Sequence, residues 1–497
     1  MMADSLIFSL MSNDIALPKA FEESTKPLFG EARYAQFCEA LRQAPQATIR
    51  LNPFKITNDN LATDKNFGHI AWCDEGRALP HRPDFTFDPL LHAGVYYVQE
   101  SSSMFIHHVV KHLIDSPVVA LDLCAAPGGK TTTLRAALPK GSVIVANEPI
   151  KVRASILSEN VQKQGHPDMV VTNNYPRDFR KANLTFDFIL ADVPCSGEGM
   201  FRKDPQAIQE WTPQNVDKCA ALQRSIIKDI WPCLKPGGLL VYSTCTYNEH
   251  EDEENIQWII DQLGAQLINI PVNPSWHVTN ALGTGLSAVN GREEDERLLP
   301  VCRFIPGFTP GEGIFMAALR KQGDEEAPRR KKERQVAART QQSAYAKVAS
   351  QWLQEDVASD NSSWSVVETP TIVRAIPTRW LPLYEKASKA LHVVHAGVGL
   401  GVPKGKSLVP AASLALSAAL NRSAFTQVEI GWEQAIHYLR KEAISLSPDT
   451  PQGIVLLTYR GQAIGFCKNI GNRANNLYPQ EWKIKTTHLP EQAIDVL

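Results

Sequence analysis

The chain has 497 residues, 43% of them hydrophobic and 21% charged. Such a length and composition bury a sizeable core and exclude wholesale disorder, and at roughly 100–200 residues per domain they suggest about three domains. The 51 Lys and Arg against 53 Asp and Glu leave a net charge of −2, which excludes a histone-like polycation but leaves local patches to be read one by one.

Residues 1 to about 90 read as a small mixed segment. Pro18 to Leu41 has helical spacing, and QATIRLNPFKI (46–56) has strand-like alternation. Packing is the plainer role for this segment. The first residues lack the basic start of a signal peptide.

From about 95 to 320 short β-rich runs alternate with helical stretches. The candidate strands are VVALDL (118–123), SVIVANE (142–148), MVVTN (169–173), DFILADVP (187–194) and GLLVYSTC (238–245). They are continuously apolar, as expected when helices cover both faces of a parallel sheet. The expected fold class is therefore α/β, doubly wound and Rossmann-like, with ligands beyond the carboxyl ends of the strands.

Arg320 to Lys347 carries nine basic and four acidic residues, a net of +5, and no apolar face. It reads as a solvated linker or a flexible arm on nucleic acid. Beyond about 365 the chain looks like further small α/β modules. SLALSAAL (413–420) and EQAIHYLRKEA (433–443) read as helices, IVLLTY (454–459) as a strand, and Gly461 as the turn of a hairpin. Ser407 to Leu420 is too short to span a bilayer, so no membrane is expected.

LDLCAAPGGKTT (121–132) follows a strand and opens a helix. Gly128 and Gly129 allow close backbone approach, and the helix start offers free N–H donors. A nucleotide phosphate loop needs glycine at 124, where Cys124 stands, and the dinucleotide pattern G-x-G-x-x-G is absent. The ATPase and dehydrogenase readings fall away. Glu148 ends the second strand twenty residues after Gly128, where an acid can accept both ribose hydroxyls. The loop and the acid together favour a cofactor with a ribose but no phosphate chain. S-adenosylmethionine fits, with Cys124, Ala125, Ala126, Pro127, Gly128, Gly129 and Lys130 as its loop. Asn174 is the candidate for the adenine amino group, with Asn173 and Asp178 competing for it.

Two further strands each deliver a cysteine among turn-forming and polar residues: Cys195 in ADVPCSGEGMFRKDP and Cys245 in YSTCTYNE. A thiolate placed there can be solvated and activated. Carbon 5 of cytosine is a poor nucleophile, and a thiolate adding to carbon 6 makes it enamine-like, able to accept a methyl group. A base must then remove the carbon 5 proton, and an acid near N3 and N4 would stabilise the ring charge. Asp192 can face that ring edge or hold the cofactor's amino group.

DLCAAPGGKT, NEP (147–149), DVPCSGEGMFRKDP and YSTCTYNEHEDEENI together resemble the RNA 5-methylcytosine methyltransferases of the NOL1/NOP2/Sun family. By that resemblance Cys245 is the nucleophile and Cys195 assists product release; the residues alone do not rank them. The acidic run Glu249 to Glu254 reads as a solvated helix start. VYYVQESSSMF (95–105), FIPGFTPGEGIFMAALRK (304–321) and YRGQAIGFCKNIGNRANNLYPQEWKIK (459–485) look like the bacterial RsmF branch, which methylates small-subunit ribosomal RNA. Cys124 and Gly129 stand where that branch varies, and Asn174 where aspartate is common.

The resemblance implies an N-terminal RNA-binding segment (1–92), a Rossmann-like methyltransferase domain (93–321), a basic linker (322–364) and C-terminal α+β modules with a PUA-like RNA-binding domain (365–497). Tyr459 to Lys485 holds five basic residues and one acid, a local +4, interleaved with Tyr459, Phe466, Tyr478 and Trp482. Bases can stack on such aromatics while Arg and Lys meet phosphates, although Phe466 and Trp482 are expected to fill a core. Arg202, Lys203, Lys468 and Arg473 are the RNA-contact candidates, and Arg50 and Asn52 are further phosphate candidates. The target cytosine must leave its stack to reach the thiols. The expected partner is ribosomal RNA or the small ribosomal subunit. The same chemistry on tRNA, or a non-catalytic assembly factor, are the alternatives.

Nine dispersed cysteines (Cys38, Cys73, Cys124, Cys195, Cys219, Cys233, Cys245, Cys302 and Cys467) fit a reducing cytoplasm. No two have zinc-finger spacing, so no metal is expected. A monomer is the default.

Overall fold

The computed structural model describes residues 16–56, 67–282, 300–323, 344–354, 364–405, 407–486 and 488–497. Most of the expected basic linker, 324–343 and 355–363, lies outside the described residues, as do the first fifteen residues. The chain divides into two compact units, one of 1–47, 100–105 and 185–324, the other of 48–99, 106–184 and 325–497.

In the first unit the strand Phe186–Asp192 runs parallel to Leu234–Thr244, with Leu190 opposite Val241. The strand Ile314–Lys321 then pairs antiparallel with Leu234–Thr244, and Ala265–Ile268 and Cys302–Phe304 pair antiparallel with Ile314–Lys321. The expectation of a parallel sheet is thus extended: this arrangement is mixed. Two helices pack beside it. Thr212 caps Pro213–Ile230 by accepting the Asn215 N–H, and Gly264 ends Glu253–Leu263 in the left-handed conformation.

The span expected to be helical from Pro18 is two helices, Lys19–Phe29 and Glu31–Leu41, broken at Gly30. Their Phe21 and Phe37 are fully buried among Phe201, Trp211 and Tyr247, with ring centroids 5.1 Å apart for Phe21–Phe201 and 5.2 Å for Phe37–Tyr247. Such edge-on pairs each stabilise by about 0.5–1.5 kcal/mol beyond their buried area.

The second unit holds the parallel strands Val119–Asp122, Val143–Asn147 and Met169–Thr172. The strand Val393–Ala396 pairs antiparallel with Met169–Thr172, so part of the C-terminal region joins this sheet rather than standing apart as a separate module. A small antiparallel sheet contains Thr48–Leu51, Cys73–Ala78 and Tyr96–Val98. All four residues of Thr48–Leu51 are buried, so the alternation expected there is absent: both of its faces are covered.

Two four-stranded sheets complete the unit. One is built from Trp364–Glu368, Val373–Pro377, Val398–Lys404 and Ser407–Pro410. The other is built from Thr426–Glu429, Gly453–Tyr459, Gln462–Asn469 and Ala474–Asn476. Arg460 and Gly461, both at positive φ (49° and 74°), turn the Gly453–Asn469 hairpin. The helix expected over 413–420 is a single turn, Ala412–Ala415, after which Ala418 N donates to Gly165 O. Among the described residues no helix is long and apolar enough to cross a membrane.

Candidate active site

The glycine loop leaves the strand Val119–Asp122 and enters the helix Gly129–Ala137. Gly128 sits at φ 116°, a conformation that favours glycine. Thr131 Oγ1 donates to Asp122 Oδ2 at 2.6 Å, tying the helix start to the strand end. Two loop carbonyls are already satisfied: Arg153 Nη2 donates to Ala126 O at 3.1 Å and Asn160 Nδ2 to Pro127 O at 2.8 Å. The loop is thereby held from the helix Lys151–Gln164, while the first N–H groups of its own helix remain suited to a carboxylate.

Glu148 is buried at the end of its strand. Its Oε1 accepts the Ile150 N–H at 3.0 Å, whereas Oε2 has no hydrogen-bond partner and lies 3.5 Å from Arg153 Nη1. A buried acceptor without a donor is costly, and the hydroxyl pair of a ribose would satisfy it. Asn147 gathers three strand ends around this point. Its Nδ2 donates to Leu123 O and Asn174 O, and its Oδ1 accepts from Thr172 Oγ1 and Asn174 N. Asn147 belongs to the NEP motif (147–149), whose sequence alone marks no role for it.

Asn173 spends its side-chain amide on Glu148 O and Pro149 O. Asn174 Oδ1 accepts the His392 N–H at 3.0 Å, and Asp178 Oδ2 accepts Tyr175 N–H at 3.1 Å. The adenine amino group needs an acceptor; Asn174 Oδ1 and Asp178 Oδ2 each already accept one backbone N–H, while the two bonds of Asn173 use only its Nδ2, so these bonds do not single out one of the three.

In the first unit the strands Phe186–Asp192 and Leu234–Thr244 deliver the two thiols. Cys195 Sγ and Cys245 Sγ are 2.7 Å apart, and Cys245 N–H points to Cys195 Sγ at 3.4 Å. The hydrogen bond with Cys245, together with burial, raises the Cys195 thiol well above its ordinary pKa, so Cys195 keeps its proton. Gly199 must be glycine, because a Cβ there would strike the Gly313 carbonyl oxygen; its N–H donates to Cys245 O at 2.8 Å. Asp192 is half-buried at the end of its strand.

Buried acids hold the two cysteine loops together. Glu198 accepts from Trp211 Nε1, Tyr247 N, Asn248 N and Asn248 Nδ2, at 2.6–3.1 Å. Glu251 accepts from Ser196 N at 3.0 Å, Gln223 Nε2 at 2.6 Å and Asn248 Nδ2 at 2.9 Å. Burial raises the pKa of both carboxyls. Asp252 accepts from Thr244 and Thr246 on either side of Cys245, at 2.6 and 2.9 Å. Arg303, fully buried, pairs with Asp252 at 3.2 Å and with Glu253.

The solvated reading of 249–254 is therefore corrected. Glu251, Asp252 and Glu253 are 0–1% exposed, because Arg303, the threonines and backbone N–H groups supply their partners. The signal was present in the motif spacing, which puts those acids within nine residues of Cys245.

Other expected contacts are also reassigned. Arg202 is a structural ion pair: its Nε donates to both Glu312 oxygens and its Nη2 to Gly311 O at 2.7 Å. Lys203 stays partly exposed, 3.6 Å from Glu312. Arg50 and Asn52 are buried, not phosphate-facing. Arg50 donates to Gln99 and Thr132, and Asn52 to Gly94 O and Gln164 O. Lys468 and Arg473 are exposed. Phe466 is core as expected, and so is Tyr478, whose ring packs 5.3 Å from Tyr438; Trp482 is half-buried beneath Lys163.

Three family models match the chain. They describe an N-terminal domain of 16S rRNA methyltransferase RsmF over 17–101, a 16S rRNA methyltransferase RsmB/F over 115–320, and a methyltransferase RsmF PUA domain over 425–484. A ribosomal RNA small subunit methyltransferase F of Aliivibrio fischeri is 30% identical, over 95% of this chain and 98% of its own. One of Escherichia coli is 30% identical over 90% and 92%. Among solved structures, a methyltransferase homolog from Pyrococcus horikoshii is 28% identical with a TM-score of 0.52, covering 65% of this chain and all of its own. In sequence, this chain accordingly carries a methyltransferase domain with a Rossmann-like mixed sheet after an N-terminal domain and before a C-terminal PUA domain, and it belongs to the RsmF family of ribosomal RNA small subunit methyltransferases.

Proposed function

We propose that this chain transfers a methyl group from S-adenosylmethionine to carbon 5 of a cytosine in 16S ribosomal RNA, through a covalent bond between Cys245 and carbon 6. The carrying observation is the pair of thiols 2.7 Å apart at two strand ends, each loop fixed by buried acids. Cys245 Sγ adds to carbon 6 as a thiolate, and the displaced electron pair makes carbon 5 nucleophilic. S-adenosylmethionine supplies an electrophilic methyl group when bound. Carbon 5 then loses its proton to a base, the ring double bond re-forms and the Sγ–C6 bond breaks. Cys195, 2.7 Å from that sulfur, assists its release.

Cys124 to Lys130 would hold the cofactor's methionyl end, Glu148 its ribose and Asn174 its adenine; Asp192 would face the cytosine edge or the cofactor amine. Lys203, Lys468 and Arg473 would meet RNA phosphates, since their ammonium and guanidinium groups remain accessible. The working domain bounds are 1–92, 93–321, 322–364 and 365–497. The protein would act as a cytoplasmic monomer on ribosomal RNA or the small subunit, its dispersed cysteines fitting a reducing compartment.

Wild type, Cys195→Ala and Cys245→Ala are each mixed with S-adenosylmethionine and small-subunit rRNA and run on a denaturing gel. A slow protein–RNA band in Cys195→Ala alone is expected. A band in Cys245→Ala alone reverses the roles. No band anywhere, with no methyl transfer by wild type, sinks the covalent reading.

A further inference from the structure

The strand Cys73–Ala78 places Cys73 and Glu75 on one face, two residues apart, and the helix Phe105–Leu113 brings His107 to the same point. Cys73 Sγ lies 3.6 Å from Glu75 Oε2, and that oxygen lies 3.2 Å from His107 Nε2. All three atoms fall within 4.8 Å of one another. Cys73 and His107 are 2% and 3% exposed. His107 Nε2 is buried without a hydrogen-bond partner, although Glu75 is within ion-pair distance.

A histidine–glutamate ion pair beside an apolar cysteine accounts for the proximity but leaves that nitrogen unbonded. A shared cation accounts for all three groups. In a tetrahedral zinc site with Zn–S about 2.3 Å and Zn–N or Zn–O about 2.0–2.1 Å, S···O edges come to about 3.5 Å and N···O edges to about 3.3 Å. The two measured edges match both figures. One thiolate, one imidazole and one carboxylate form the mixed S, N, O set that zinc accepts, and the two anionic groups balance its charge. The absence of paired cysteines does not bear on such a site, because its ligands are of three types and come from two elements.

We propose that Cys73, Glu75 and His107 bind a zinc ion, with water completing the tetrahedron, and that this ion ties the N-terminal sheet to the helix Phe105–Leu113. The site is separate from the residues assigned to methyl transfer and stands whether or not that assignment does.

The test uses untagged full-length protein, since a polyhistidine tag would itself carry metal. After growth with zinc and dialysis against metal-free buffer, mass spectrometry should find about one zinc per chain, and chelation should lower the melting temperature. Cys73→Ser and His107→Gln should lose the metal and the chelator response, whereas Cys38→Ser should keep both. In case the variants fold poorly, cobalt(II) added to chelated wild type should produce a thiolate-to-cobalt charge-transfer band. Wild type with neither zinc nor that band would overturn the proposal. So would zinc retained at full occupancy in both variants.

Discussion

The cysteine loops and the C-terminal hairpin are both charged, yet their charges are used in opposite ways. Around Cys195 and Cys245 the acids Glu198, Glu251, Asp252 and Glu253 are buried and hydrogen-bonded. On the hairpin Gly453–Asn469 and in the loop after it, Lys468 and Arg473 stand in solvent. Buried and bonded charge fixes geometry, because removing one partner strands the others out of water. Exposed charge is screened by salt and contributes in small, additive steps. The first region should therefore respond to substitution in an all-or-none way and the second in a graded way.

The largest effect is expected from Glu198→Ala, which removes the acceptor of four hydrogen bonds spanning both cysteine loops. We expect a loss of about 3 kcal/mol in stability and a fall in methyl transfer of roughly a hundredfold or more, with Glu198→Gln retaining part of both. Denaturant unfolding and a methyl-transfer assay on the same preparations would check it. An Ala variant of wild-type stability would remove the distinction between the regions.

Acid should separate the units next. His92 and His395, in the second unit, are lowered to about 3, first by burial and then by Lys163 and Arg374 respectively. Between pH 6.5 and 3 the unfolded chain binds protons there that the folded chain does not. That contribution is complete above about pH 6.5 and is lost as pH falls, by about 2 kcal/mol per histidine at pH 5. Glu198 and Glu251 have the opposite sign, since burial raises their folded pKa. The folded state gains protons there first, so falling pH relieves the cost of burying their charge. Hydrogen exchange at pH 5 should open the strands around His92 and His395 before the cysteine loops.

A smaller loss is expected from Glu148→Gln: about tenfold in S-adenosylmethionine affinity by calorimetry, about 1.4 kcal/mol, with rRNA binding unchanged. The smallest belongs to the hairpin. Lys468→Ala combined with Arg473→Ala should weaken rRNA binding a few-fold and reduce the slope of log affinity against log salt by about 2, leaving cofactor affinity alone. A slope that stays put would take both residues off the RNA-facing side.

The strand ends were legible in the sequence because each continuous apolar run stops at a motif: glycine loop, Glu148, Asp192, Cys195 and Cys245 all fall where the runs end. The buried acids were not. A run such as 249–254 looks solvated until Arg303, some fifty residues on, is known to reach it. Arg202 misled for the same reason, its partner Glu312 lying over a hundred residues away. Arg50 and Asn52 looked like phosphate ligands because polar residues alternating along a short strand read as a solvent face, and nothing local shows that Gln99, Thr132, Gly94 and Gln164 cover it. Nor could the pairing of Val393–Ala396 with Met169–Thr172 be seen, since nothing local says which strand has an open edge.

That last pairing has a consequence in time rather than space. The ribosome makes Thr172 long before Ala396, 224 residues later. At 5–20 residues per second the backbone edge of Met169–Thr172 stays without this partner for about 10–45 seconds in every newly made chain. A bare edge is a template for pairing with other chains. Stop codons or stalls between residues 173 and 392 should therefore yield insoluble fragments, and truncations meant to remove only the PUA domain should be cut after 410 rather than before 393.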